Sequence, residues 1–245
     1  MNLDSLRPGG YISVQTVDGP LALKIAGLFT SDGCGEVYAL IRRGSISAKI
    51  EGDIFDSMNN FIGRAHSIKS VLPSGAPFDH LFVLATFTVA VSRELLSMTE
   101  QAAVTRDLPQ NVFGTGMMRI RKLPTEPAEE VVGRRSNQPE RPSAGGFLTG
   151  DISNPILVSS GNDVVFDRAA LARGRGRHAF GQPGDGGRPV LSNSRALLGF
   201  IIGRDSTRTL LLAAEDLVNE MGIRFLTRAP RPGLQIQTIR ARRAA

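Results

Sequence analysis

Short runs of strand-forming residues, closed off again and again by Gly, Asp and Ser, constrain this chain more than any other feature. "YISVQTV" (11–17), "LALKIAGLF" (21–29), "EVYALIRR" (36–43) and "SISAKIEG" (45–52) each carry β-branched, aromatic or aliphatic residues between turn formers. Runs of that length and composition make strands, not helices. "FDHLFVLATFTVAV" (78–91) is longer and more apolar, as a strand buried on both faces would be, although periodicity alone leaves a core helix open. The β pattern returns after Gly146 in "GFLTGDI", "NPILVSS", "NDVVFD", "ALLGFIIGR" and "TLLLAA". Many short strands with turn signals at this spacing predict barrels or a sandwich.

Two stretches break the pattern. "SRELLSMTEQAAVTRDL" (92–108) has apolar residues at roughly helical spacing, and Ser92 is its expected N-cap. "AEDLVNEMGI" (214–223) has acids in its first turn and Gly222 near its end, matching the dipole and C-cap rules. The expected organisation is an N-terminal β-barrel over 1–91 and a helical connector over 92–123. A Pro-rich, charged linker follows over 124–146, then a C-terminal barrel with terminal helix over 147–226 and a basic tail over 227–245. Within the linker, "EVVGRR" offers an edge strand over 130–136 that would join the second barrel.

Charge and cysteine usage narrow the function classes. The net charge of +6 lies entirely in residues 224–245, which hold six arginines and no acid, so the rest of the chain is neutral. A solvated tail explains this; an electrostatic tether to nucleic acid or to an acidic surface is the alternative. The single cysteine, Cys34, excludes an intrachain disulfide and fits a reducing, cytoplasmic setting. There is no apolar run long enough for a membrane span and no signal-peptide pattern at the start, so no membrane association is expected. No paired-Cys or His-x-x-x-His spacing is present, so neither metal nor cofactor is expected.

"FGQPGDGGRPVL" (180–191), "ALLGFIIG" (196–203) and "LLLAAEDLVNEMGI" (210–223) follow one another in an order that resembles one family. They are similar to the nucleophile loop, the strand after it, and the closing strand and helix of trypsin-like (chymotrypsin-fold) serine proteases of the disulfide-free bacterial and plant style. "GEVYALIRRGSIS" (35–47) and "FDHLFVLATF" (78–87) resemble, more weakly, the segments bearing the family's histidine and aspartate. The resemblance covers most of residues 10–223. It implies an all-β fold of two six-stranded barrels with a helical connector and a C-terminal helix.

Carried over residue by residue, the resemblance leaves the chemistry incomplete. Asp79 falls on the aspartate position, Gly44 on the histidine position and Gly186 on the nucleophile position, with the amides of Gly184 and Gly186 as the oxyanion hole and Asp185 bracing the loop. Acyl transfer needs a nucleophile, a base within hydrogen-bond reach and a carboxylate to orient that base. Two of the three are glycine here. Losing either costs about 10⁶ in kcat, and the oxyanion hole and binding alone leave on the order of 10³–10⁴ over water. Among substitutes, His66 lies in a loop-like stretch, His178 precedes the turn, and Ser192 and Ser194 follow it. His80 follows Asp79 directly and so faces the opposite side of a strand. Cys34 reads as a small turn residue.

Arg173, Arg175 and Arg177 alternate in "ALARGRGRHAFG" (170–181), the pattern of a mobile surface loop or of an anion-recognising rim. Arg188 stands where the family has a small residue and is expected to project toward or across the site. Gly199 is expected to let a ligand backbone approach. The expected function is a catalytically inactive protease homologue that binds a peptide or protein. The alternatives are an active endopeptidase with a displaced triad, and a nucleic-acid-associated protein using the arginine loop and tail.

Overall fold

A computed structural model describes residues 3–31, 35–43, 49–67, 81–104, 146–153, 156–159, 162–166, 168–174, 180–181, 185–191, 196–204 and 208–228. Among the described residues the chain is all-β apart from two short helices and a 3₁₀ turn at Leu3–Ser5. Strands β1 (Tyr11–Thr16), β2 (Gly19–Ser31), β3 (Val37–Arg42), β4 (Gly52–Phe55), β5 (Phe61–His66) and β6 (Phe82–Phe87) close into a barrel in ring order β1-β2-β3-β6-β5-β4. The β1–β2 hairpin turns through Val17 and Asp18, pairing Thr16 with Gly19, and the Thr16 hydroxyl donates to the Gly19 carbonyl at 2.8 Å. At thirteen residues, β2 serves three neighbours: its first half pairs with β1, and its second with β3 and with the C-terminal strand Ile223–Arg228. A bulge between Ile25 and Gly27 marks the change of partner and bends the strand, as barrel closure requires.

Alternation fills the barrel. Ile12 and Val14 of β1 point inward while Tyr11 and Gln15 face solvent. Strand β3 departs from alternation because both its faces are covered: Ala39 and Ile41 line the barrel, and Leu40 faces a second core. Helix α1 (Val89–Met98) begins earlier than the sequence pattern suggested. Thr88 is the N-cap, and its hydroxyl accepts from the Val91 N–H. Ser92, the expected cap, is instead buried in the first turn, where its hydroxyl accepts from the Val37 N–H at 3.1 Å and ties the helix to β3. The helix also ends early, and β7 (Thr99–Gln101) follows it directly. Correspondingly, among the described residues of the run over 78–91, the strand covers Phe82–Phe87 and helix begins at Val89.

In the second half, β8 (Gly146–Ser153), β11 (Arg168–Gly174), β12 (Pro189–Leu191), β13 (Leu197–Arg204) and β14 (Thr209–Ala213) make a five-stranded sheet of order β12-β13-β14-β11-β8. Strands β9 (Ile156–Ser159) and β10 (Asn162–Val165) form a separate hairpin. Helix α2 (Ala214–Met221) carries Glu215 and Asp216 in its first turn and ends on left-handed Gly222, whose N–H bonds the Val218 carbonyl at 3.0 Å. The final strand, β15 (Ile223–Arg228), does not stay with the half from which it comes. It lies between β2 and β7 in the first sheet, so the expected boundary between a second barrel at 147–226 and a tail from 227 is crossed by a shared strand. The edge strand at 130–136, the connector beyond 104 and the tail from 229 lie outside the described residues. No helix among the described residues is long and apolar enough to cross a membrane.

The two sheets meet in a core rich in aromatic side chains. Phe82 of β6 meets Phe200 of β13 edge to face at 5.3 Å, Phe200 meets Phe225 of β15 at 5.6 Å, and Phe29 of β2 stacks on Tyr38 at 5.4 Å. Leu40, Phe166, Leu191, Ile202, Leu212 and Leu217 complete the layer. Phe200 is fully buried at its centre. Phe200→Ala is expected to cost about 3–5 kcal/mol. Urea unfolding followed by far-ultraviolet circular dichroism should shift as one transition; two separated transitions would show that the halves unfold independently.

Candidate functional site

The Asp185–Arg188 turn sits where the two sheets touch. Gly181, ahead of it, is anchored by its N–H to the Thr209 hydroxyl at 2.7 Å. Asp185 through Arg188 then form a tight turn, with the Arg188 N–H donating to the Asp185 carbonyl at 3.0 Å. From there the chain enters β12. The Gly187 N–H donates to the Ile201 carbonyl at 2.7 Å, and the Arg188 carbonyl accepts from the Ile201 N–H at 2.9 Å, which fastens the turn to β13.

Gly187 is required as glycine on two counts. Its φ is +74°, a region that side chains disfavour, and an added Cβ would stand 3.2 Å from Arg42 Cγ, the Leu81 carbonyl and a Phe82 ring carbon. Arg42 closes the same contact by donating from Nε to the Gly186 carbonyl at 2.9 Å. Arg43 lies beside it, and its N–H donates to the Leu81 carbonyl at 3.0 Å. The segments just before Gly44 and just after Asp79 therefore flank the Gly186 turn. Gly44, Asp79 and Gly184 themselves lie outside the described residues, as do Cys34, His80, His178, Ser192, Ser194, Arg175 and Arg177.

Gly186 differs from its neighbour. Among the described residues, nothing approaches within 4 Å of where its Cβ would be, and its backbone is not in the left-handed region. Packing does not impose the missing side chain at this position. The Gly186 N–H makes no hydrogen bond within the protein among the described residues.

The turn is charged inside. Asp185 is 5% exposed, and a lone carboxylate so buried would carry a large desolvation cost. Arg188, three residues on, supplies the opposite charge, with Nη1 2.7 Å from Asp185 Oδ2. Burial, with the Arg42 charge adding to it, pulls the Arg188 guanidinium down to about 10, so it remains a cation at neutral pH. The expectation that Arg188 would reach across the site is not met: its guanidinium turns back onto Asp185 within the same turn.

Other sequence-derived candidates have local explanations. An added Cβ at Gly199 would fall 2.2 Å from the Leu212 carbonyl, so β13 needs a glycine there to lie against β14. Arg173 belongs to β11, in register with Phe147 of β8, and is not part of a free loop. His66 ends β5 instead of lying in a loop, with Nε2 3.3 Å from the Thr86 hydroxyl on the barrel wall. Arg42 was not singled out by the sequence. It reads there as the polar end of a strand, and only its position against a turn 144 residues away gives it a role. Among the described residues, no three His, Cys, Asp or Glu side chains cluster closely enough to hold a metal ion.

Among solved structures, the chain is similar to a glutamic-acid-specific serine protease that uses a histidine triad in substrate binding. The TM-score is 0.44 and the identity 13%, over 89% of this chain and 98% of that one. No family model matches the sequence, and no curated protein does.

The contrast between the two glycines is testable. Gly186→Ser should change stability by no more than about 0.5 kcal/mol. Gly187→Ala should cost about 1–3 kcal/mol through strain and displacement of Arg42. Urea midpoints of the two variants, measured side by side, decide whether the open and closed Cβ positions are as described.

Proposed function

We propose that this protein is a catalytically inactive trypsin-like serine protease homologue that binds an extended peptide or protein segment. The observation that carries the reading is the convergence of Arg42, Leu81 and Phe82 on the Gly186 turn. Those residues neighbour, in sequence, the positions that correspond to the family's histidine and aspartate. The turn itself keeps the family's Gly-Asp-x-Gly-x-Pro-Val order as "GDGGRPV" (184–190).

The chemistry is absent at two points while the frame remains. Gly186 offers no nucleophile and Gly44 no base, a loss of about 10⁶ in rate. By the sequence resemblance, Asp79 falls on the aspartate position and the amides of Gly184 and Gly186 on the oxyanion position. Beyond Ile201, no described strand pairs with β13 on the side away from β14. An extended ligand can add there as a strand, a mode in which backbone hydrogen bonds supply affinity and no triad is required.

Purified protein incubated with a diverse peptide library, read by mass spectrometry against a heat-denatured control, should release no new termini. The same library in a pull-down should yield enriched peptides. Specific cleavage would overturn the inactive reading and identify the enzyme alternative instead. The paired change Gly44→His with Gly186→Ser should make the protein reactive toward a fluorophosphonate probe. A folded double variant that stays inert would show that the rest of the machinery has also been lost.

A further inference from the structure

We propose that Arg42 and Arg188 are positioning residues: with Asp185 they hold the peptide planes of the turn so that the Gly186 N–H faces outward as a donor before any ligand arrives. This deepens the binding reading given above and rests on it only for what the donor meets, a carbonyl oxygen of an extended peptide.

The planes can be followed one at a time. In a trans peptide the C=O and the N–H point in opposite directions. The Asp185 carbonyl faces into the turn, where it accepts from the Arg188 N–H at 3.0 Å. The Gly186 N–H shares that plane and so faces away, and it makes no hydrogen bond within the protein among the described residues. The next plane is held at both edges: its carbonyl, on Gly186, accepts from Arg42 Nε at 2.9 Å, and its N–H, on Gly187, donates to Ile201 at 2.7 Å.

Between these two planes stands a glycine, the residue with the widest backbone freedom. Without anchors on each side, the plane ahead of Gly186 could turn over at little steric cost, and the donor would be lost. Two side chains oppose that. Arg188 pairs with Asp185 at 2.7 Å, with both groups largely buried, and so keeps the carboxylate inside the turn. Arg42 arrives from the barrel wall: its Cγ packs under Gly187 and its Nε takes the Gly186 carbonyl. Together they place the turn relative to both sheets at once.

The test reads amide hydrogen exchange in the ¹⁵N-labelled full chain with no peptide present. Arg42→Met and Arg188→Met should each accelerate exchange at Gly187 about tenfold. Amides of the barrel pair Leu28–Ala39 and of Leu211 in β14 should keep their rates. Unchanged exchange at Gly187 overturns the proposal. Acceleration spread evenly over β3, β13 and β14 also overturns it, because the arginines would then be supporting the fold and not the turn. Should Arg188→Met fail to fold because the buried Asp185 loses that opposite charge, Asp185→Asn with Arg188→Met removes both charges and carries the same test. Because these rates are read without ligand, a wild-type chain that captures no peptide in the pull-down bears on the binding reading alone.

Discussion

The aromatic layer between the two sheets is the contact on which the rest of this molecule depends. Phe82, Phe200 and Phe225 come from three strands distant in sequence, and each has its ring against another. Edge-to-face rings are directional as well as apolar, so the layer sets an angle between the sheets as well as joining them. Phe82 opens β6 and Phe200 lies opposite Pro189 in the β12–β13 pair, one residue after Arg188. Seating one ring on the other therefore carries the Gly186 turn onto Leu81 and Arg42. The site is a consequence of the core beside it.

The shared strand β15 reinforces that arrangement. It leaves helix α2 in the second half and pairs with β2 and β7 in the first, contributing Ile223 and Phe225 to the layer on the way. A chain that closes in this way cannot move one sheet without disturbing hydrogen bonds in the other. Such a scaffold suits a site built from both halves, since a displacement of an ångström at the turn would break the Arg42–Gly186 hydrogen bond.

Within the turn, geometry and charge act together. Arg188, three residues away, supplies an opposite charge to the buried Asp185 carboxylate, and the left-handed Gly187 allows the backbone to double back far enough for that pair to form. The open space over Gly186 sits next to the crowded space over Gly187. One glycine is imposed by packing and backbone conformation; at the other, the described residues leave room for a side chain.

Local sequence determined the strand-rich character, the two helices, the left-handed cap at Gly222 and the tight glycine turn ahead of β12, because alternation, capping and turn chemistry act over a few residues. It misplaced features where a local preference met a tertiary demand. Ser92 is a good helix cap by type, yet Thr88 takes that role because Ser92 is needed at the Val37 N–H. The run from Leu81 to Val91 is apolar except for Thr86 and Thr88, so no clear change of period marks where β6 gives way to α1. Arg188 looked like a group reaching outward, but the buried charge of Asp185 turns it inward. Only the tertiary structure decided the pairing of β15 with the first sheet and the reach of Arg42 to Gly186. Both join residues far apart in sequence, and such contacts depend on how two apolar faces fit together, which neither segment encodes alone.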